Sequence, residues 1–80
     1  MSDEITVYTS QSCGPCRRLK RHLGEAGVSF REVDIDREPG VARRIEQSTG
    51  GFRIVPTVEI GGRLLVNPLP AEVVALAADN

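Results

Sequence analysis

The sequence predicts an α/β domain of order β-α-β-α-β-β-α, a four-stranded mixed sheet flanked by three helices. Three observations predict it. A β-prone run, Ile5-Thr6-Val7-Tyr8-Thr9, precedes apolar positions at Cys16, Leu19, Leu23 and Ala26, whose steps of three and four trace one face of a helix. A second apolar-polar run, Val28 to Ile35, precedes another helical stripe at Val41, Ala42 and Ile45. Thr57-Val58-Glu59-Ile60 and Arg63-Leu64-Leu65-Val66 are joined by Gly61-Gly62, a two-residue hairpin turn.

The first strand ends in the polar segment Ser10-Gln11-Ser12, and the first helix runs from about Cys13 to Gly24-Glu25-Ala26-Gly27. The second strand spans Val28 to Ile35. Asp36 is read as the N-cap of the second helix, with Glu38 and Pro39 in its opening turn, and Ser48-Thr49-Gly50-Gly51 stops it. Phe52 to Pro56 is a loop, Asn67-Pro68-Leu69-Pro70 a linker, and Ala71 to Ala78 the third helix. The two strands joined through the first helix should be parallel, and the last two antiparallel. In such sheets sites form at the carboxyl ends of parallel strands, here where the first strand feeds the first helix.

Eighty residues make one domain, 1–80. Hydrophobic residues at 40% and a formal net charge of −1 describe an ordinary globular chain, not a disordered one. Near-neutral charge, 4% aromatics and no Trp exclude an electrostatic or stacking platform for nucleic acid. No apolar run approaches the roughly 18 residues of a membrane span. The acidic start Met1-Ser2-Asp3-Glu4 lacks the basic and apolar segments of a secretory signal, so a cytoplasmic chain is expected.

The two cysteines lie three apart, in Cys13-Gly14-Pro15-Cys16. A structural disulfide would close a tiny loop and remove little unfolded-state entropy. A zinc site needs four ligands, and one Cys pair with the single His22 falls short unless two chains share the metal. A redox pair at a helix start fits the local sequence better. Cys13 falls at or just before the first turn, where unpaired N–H groups and the helix dipole favour a thiolate. It should face solvent, with Cys16 buried one turn further in. Pro15 fixes the first turn and wastes no N–H there, and Gly14 leaves room for a partner to approach Cys13. Arg17 is the nearest cation, able to stabilise the thiolate or guide an acidic partner. Arg18 and Arg21 read as a solvated face, and His22 as an exposed surface residue.

The order, the size and the Cys motif after a first strand resemble the thioredoxin fold, and the short N-terminus resembles its glutaredoxin branch. More closely, the chain resembles the mycoredoxins and related actinobacterial glutaredoxin-like proteins. The matching residues are Tyr8-Thr9, Cys13-Gly14-Pro15-Cys16, Glu32-Val33-Asp34-Ile35-Asp36, Gly50-Gly51-Phe52-Arg53, Val55-Pro56-Thr57-Val58 and Asn67-Pro68. The resemblance covers nearly the whole chain. It implies a cis Val55-Pro56 bond beside the Cys pair, exposing the Val55 backbone so that a substrate segment pairs along it as an added strand. Gly14, Pro15, Arg17, Val55, Pro56 and Thr57 then form the substrate-binding surface around the catalytic Cys13 and Cys16.

The chain departs from glutaredoxins in several places. Ser10 stands where they commonly carry Lys, Ile54 replaces the Thr of their Thr-Val-Pro, and no Asp follows Gly61-Gly62. Those groups usually hold glutathione, which leaves mycothiol ahead of glutathione as the low-molecular-weight thiol co-substrate. The expected function is a thiol-disulfide oxidoreductase acting on protein disulfides or thiolated proteins, with no bound cofactor or metal. The expected reductant is mycothiol or a thioredoxin-reductase-type flavoenzyme, and a monomer with no nucleic-acid or membrane partner is expected. Two alternatives remain: a redoxin-type electron donor to ribonucleotide reductase, and a dimer bridged by a metal or an iron–sulfur cluster.

Overall fold

The structure, a computed structural model, describes residues 4–78. Most of the acidic start, residues 1–3, lies outside the described residues. The elements are β1 (Ile5–Thr9), α1 (Gly14–Glu25), β2 (Arg31–Asp34), α2 (Pro39–Thr49), β3 (Thr57–Ile60), β4 (Arg63–Val66) and α3 (Pro70–Ala78). Their order is the one the sequence predicts. The sheet runs β2-β1-β3-β4; β1 and β2 are parallel, and the other two pairs are antiparallel.

Strand alternation divides the core between two faces. Ile5 and Val7 of β1 with Val58 and Ile60 of β3 pack against Leu19 and Leu23 of α1 and Val73 of α3. Tyr8 faces the other way, against Ala42 and Ile45 of α2 and Ile35 beyond β2. The helices therefore lie on both faces, α1 and α3 together and α2 opposite. In the hairpin, Gly61 and Gly62 both hold positive φ, 56° and 80°, as a tight two-residue turn between Ile60 and Arg63 requires.

Several boundaries differ from the sequence reading, those of β2 most. The second strand begins at Arg31, not Val28. Gly27 (φ 74°) donates its N–H to the Gly24 carbonyl at 3.1 Å, and Val28 donates to the Leu23 carbonyl at 2.9 Å. That bond pair is a Schellman closure of α1, so Val28 serves the helix end before the chain can join the ladder. At the other end, Ile35 N–H reaches the Thr9 carbonyl at 2.9 Å, one residue past the strand.

Asp36 is not the N-cap of α2. Its backbone N–H donates to the Asp34 carboxylate at 2.9 Å within a turn closed by Arg37 N–H to the Asp34 carbonyl, at 3.1 Å. That turn delays the helix to Glu38, which caps it without a side-chain bond, and Pro39 takes the opening turn. Gly50 (φ 79°) ends α2 in the left-handed conformation, as expected. The third helix starts at Pro70, where the Glu72 carboxylate reaches back to accept the Leu69 N–H at 2.9 Å.

Candidate active site

The carboxyl end of β1 leads through Ser10–Ser12 to Cys13, which is the N-cap of α1 with extended φ/ψ of −99° and 104°. Its sulfur accepts the backbone N–H of Cys16 at 3.0 Å, taking the place of the hydroxyl oxygen in an ordinary N-cap. The Arg17 N–H donates to the Cys13 carbonyl at 3.3 Å as the helix begins. No acidic side chain occupies the first turn, so nothing there opposes negative charge on the sulfur.

Cys13 and Cys16 form a disulfide, with their Cα atoms 5.2 Å apart. This is the oxidised state of a redox pair, and it corrects one expectation. Cys13 does not face solvent: it is 8% exposed, because its sulfur is turned inward toward Cys16 and its N–H. Cys16 is 1% exposed, so Cys13 is still the more accessible residue of the two. Around them Gln11, Ser12, Gly14, Pro15 and Arg17 are all exposed. A Cβ built on Gly14 would meet nothing within 4 Å, so the space beside Gly14, between the two cysteines in sequence, is open. His22 is exposed, as read from sequence.

Strand pairing brings the second half of the predicted site to the same end of the sheet. Tyr8 of β1 pairs with Thr57 of β3, and Thr57 with Val66 of β4. Pro56 therefore follows Thr9 in register, at the end where β1 feeds the Cys loop. The Val55-Pro56 peptide bond is cis. Among the described residues, the Val55 N–H and carbonyl make no backbone hydrogen bond, while its side chain packs toward the α2 core. Val55 stands in a bend just before β3, with backbone groups left unpaired at the end of the sheet that carries the Cys pair. Thr57 contributes differently. It is fully buried, and its hydroxyl donates to the Ile54 carbonyl at 2.7 Å, shaping the loop rather than facing a ligand.

Sequence reasoning missed two residues that set this loop. Asn67, in a left-handed conformation at φ 49°, donates its N–H to the Pro56 carbonyl at 2.8 Å. Its signal was present, since Asn is among the few side chains that adopt positive φ readily. Thr49 Oγ1 accepts the Phe52 N–H at 3.0 Å and donates toward the Phe52 and Glu46 carbonyls. Nothing in the local pattern marks that role.

Two polar networks flank the site without touching the sulfurs. Lys20 Nζ donates to Glu32 at 2.6 Å, and the Thr9 hydroxyl donates to the same oxygen at 3.1 Å. The Lys20 bond, then Thr9, hold the Glu32 carboxyl below its ordinary range. On the α2 face the buried Tyr8 hydroxyl donates to Glu59 Oε1 at 2.6 Å, which also accepts from Arg44 Nη2 at 3.0 Å. Burial first, and then the Glu59 carboxylate, push the Tyr8 phenol up. The Tyr8 hydroxyl, ahead of Arg44, holds Glu59 below the usual carboxylate range. Among the described residues no three His, Cys, Asp or Glu side chains gather to hold a metal ion. No described helix is long and apolar enough to cross a membrane.

Known proteins place this geometry. The glutaredoxin family model matches residues 5–65. A Mycobacterium tuberculosis protein that carries a glutaredoxin name is 40% identical over 72 residues, 89% of this chain and 86% of its own length. Mycoredoxin 1 of Corynebacterium glutamicum is 35% identical over 72 residues, 89% of each chain. Among solved structures, the glutaredoxin-like protein NrdH-redoxin from Escherichia coli superposes with a TM-score of 0.74 at 30% identity. The match covers 88% of this chain and 90% of that one. A cysteine pair spaced for redox chemistry, at the start of the helix that follows β1, thus sits on a fold shared along nearly its whole length. The chain belongs to the glutaredoxin family, thiol-disulfide oxidoreductases built on the thioredoxin fold.

Proposed function

We propose that the protein reduces protein disulfides, or mixed disulfides between proteins and a low-molecular-weight thiol, with Cys13 as nucleophile and Cys16 as resolving thiol. The observation that carries this reading is the Cys13 sulfur at the N-cap, accepting the Cys16 N–H at 3.0 Å. In the reduced protein the same donor and the helix dipole favour a thiolate at Cys13. That thiolate attacks one sulfur of the substrate disulfide; the S–S bond breaks, and the leaving thiolate takes a proton from solvent. Cys16, deprotonated, then attacks the Cys13 sulfur and expels the second substrate thiolate. Two electrons pass to the substrate and the Cys13–Cys16 disulfide forms. Two equivalents of a small thiol, or one flavoprotein dithiol, restore it.

In this reading Gly14 and Pro15 are the surface beside the cysteines, Arg17 the cation that guides the substrate, and the Val55 backbone beside Pro56 the edge along which the substrate lies, with the buried Thr57 shaping that loop from behind. Mycothiol is the co-substrate we favour. The departures at Ser10, Ile54 and after Gly62 support it, as does the similarity to a protein named mycoredoxin. We place the activity in the cytoplasm, in a single domain of residues 1–80 acting as a monomer. The test is to make Cys13→Ser and Cys16→Ser separately. Cys13→Ser should lose disulfide reductase activity entirely. Cys16→Ser should retain a mixed disulfide on Cys13, identifiable by mass. Full activity in Cys13→Ser refutes the assignment.

The similarity to NrdH-redoxin favours a second reading, an electron donor to ribonucleotide reductase re-reduced by thioredoxin reductase. Reduction of the oxidised protein by thioredoxin reductase with NADPH, set against reduction by mycothiol, separates the two.

A further inference from the structure

We propose that the groove between α1 and α3 docks the protein partner through an aliphatic side chain flanked by carboxylates. The proposal deepens the reading of a polypeptide disulfide as substrate and rests on it. The groove encloses about 800 Å³ and is lined on the α3 side by Leu69, Ala71, Val74 and Ala75, and on the α1 side by Arg18 and His22, with Glu25 at its far end.

Three features make it an interaction surface. Its α3 wall is apolar although it faces solvent. Leu69 is 67% exposed, Ala71 and Ala75 are exposed, and the only charge on α3, Glu72, is committed to the Leu69 N–H. A surface helix normally turns polar residues outward, so an outward apolar wall calls for a partner. The α1 side is positive. Arg17, Arg18 and Arg21 are exposed and, among the described residues, enter no ion pair, whereas Lys20 is neutralised by Glu32. A chain of net charge −1 thus carries three unpaired arginines on the helix that begins after Cys13: Arg18 lines the groove, Arg17 and Arg21 lie on the same helix outside its lining, and Glu25 stands at its far end. Both walls of the groove begin at the redox end of the sheet: α1 starts directly after Cys13, and Leu69 follows Val66, which ends β4 beside Thr57. A partner whose disulfide sits over Cys13 can lay the adjoining segment in this trough, apolar residue on alanines and carboxylates toward the arginines.

The test uses the reduced protein and two synthetic peptides, each with one Cys held as a mixed disulfide with 2-mercaptoethanol. One carries Glu-Leu-Glu beyond the Cys and the other Lys-Leu-Lys; bis(2-hydroxyethyl) disulfide is the control without a docking segment. At low salt the acidic peptide should react about tenfold faster than the basic one, the lower end of electrostatic steering, and the ratio should shrink in high salt. Arg18→Glu should lower that ratio, and Leu69→Ser should slow the acidic peptide, while both variants reduce the control at the wild-type rate. Both positions are exposed, and circular dichroism verifies their folding. Equal rates for the two peptides at low salt, or a ratio unmoved by Arg18→Glu, overturn the docking site while the redox assignment stands. Failure to reduce the control overturns the redox assignment and the docking proposal with it.

Discussion

Replacing Tyr8 by Phe removes one hydroxyl from a buried site and tests the electrostatic account of the α2 face. Tyr8 is 5% exposed and donates to Glu59 Oε1 at 2.6 Å. A hydrogen bond to a charged acceptor contributes about 1.5–3 kcal/mol. Here the Glu59 side chain is 25% exposed and keeps Arg44, so water and the guanidinium recover part of the loss. The expected cost at neutral pH is about 1–2 kcal/mol, a fall in Tm of roughly 5–12 °C for a domain of this size. The sign with pH follows from the linkage. Glu59 has a folded-state pKa below its unfolded value, so its contribution is present above the ordinary carboxylate range and fades as pH falls through the folded value. The gap between wild type and Tyr8→Phe should therefore narrow in acid. The Tyr8 phenol is shifted up, so wild type also loses stability as pH rises past the ordinary phenol value, and the variant should not show that loss. Urea titrations of wild type, Tyr8→Phe, Glu59→Gln and the double variant across pH give the coupling directly, expected at about 1 kcal/mol. No coupling, or a gap that stays constant into acid, refutes the reasoning.

Other expectations concern the site and the helix ends. Gly14→Ala should fold at wild-type stability or slightly better, since its Cβ meets nothing, yet should slow reduction of protein disulfides more than of bis(2-hydroxyethyl) disulfide; paired rate measurements check this. Gly50→Ala should cost about 1–2 kcal/mol in denaturant titrations, purely from backbone strain at φ 79°, because nothing crowds the new methyl. Thr49→Val should loosen the Phe52 to Pro56 loop, raising the KM for protein disulfides with little change in kcat.

Much of this molecule is written locally in its sequence, and what is not depends on distant partners. The Cys pair, the helix stripe behind it and the Gly61-Gly62 hairpin are each encoded within a dozen residues and appear where the sequence puts them, except that Ala26, the last position of the stripe, is the exposed C-cap of α1. The cis Val55-Pro56 bond came from the family resemblance; the residues alone permit a trans bond. The late start of β2 was hidden because Val28 satisfies both a strand pattern and a Schellman closure, and only the backbone bonds choose between them. Asp36 looked like a cap until Asp34 captured its N–H. The Tyr8–Glu59–Arg44 network joins β1, β3 and α2, with Tyr8 and Glu59 separated by 51 residues, so no window of sequence contains it. Cys13 was expected outside because its helix position is exposed; the bond to Cys16 turns its sulfur inward in the oxidised form.

The most direct measurement is the acidity of the Cys13 thiol in the reduced protein, followed by the pH dependence of its alkylation in the Cys16→Ser variant. A sulfur held at the N-cap of α1 should titrate well below the value of about 8.5 for a free cysteine. A thiol that titrates at or above that value would contradict the account, because the helix start would then give the pair no nucleophile.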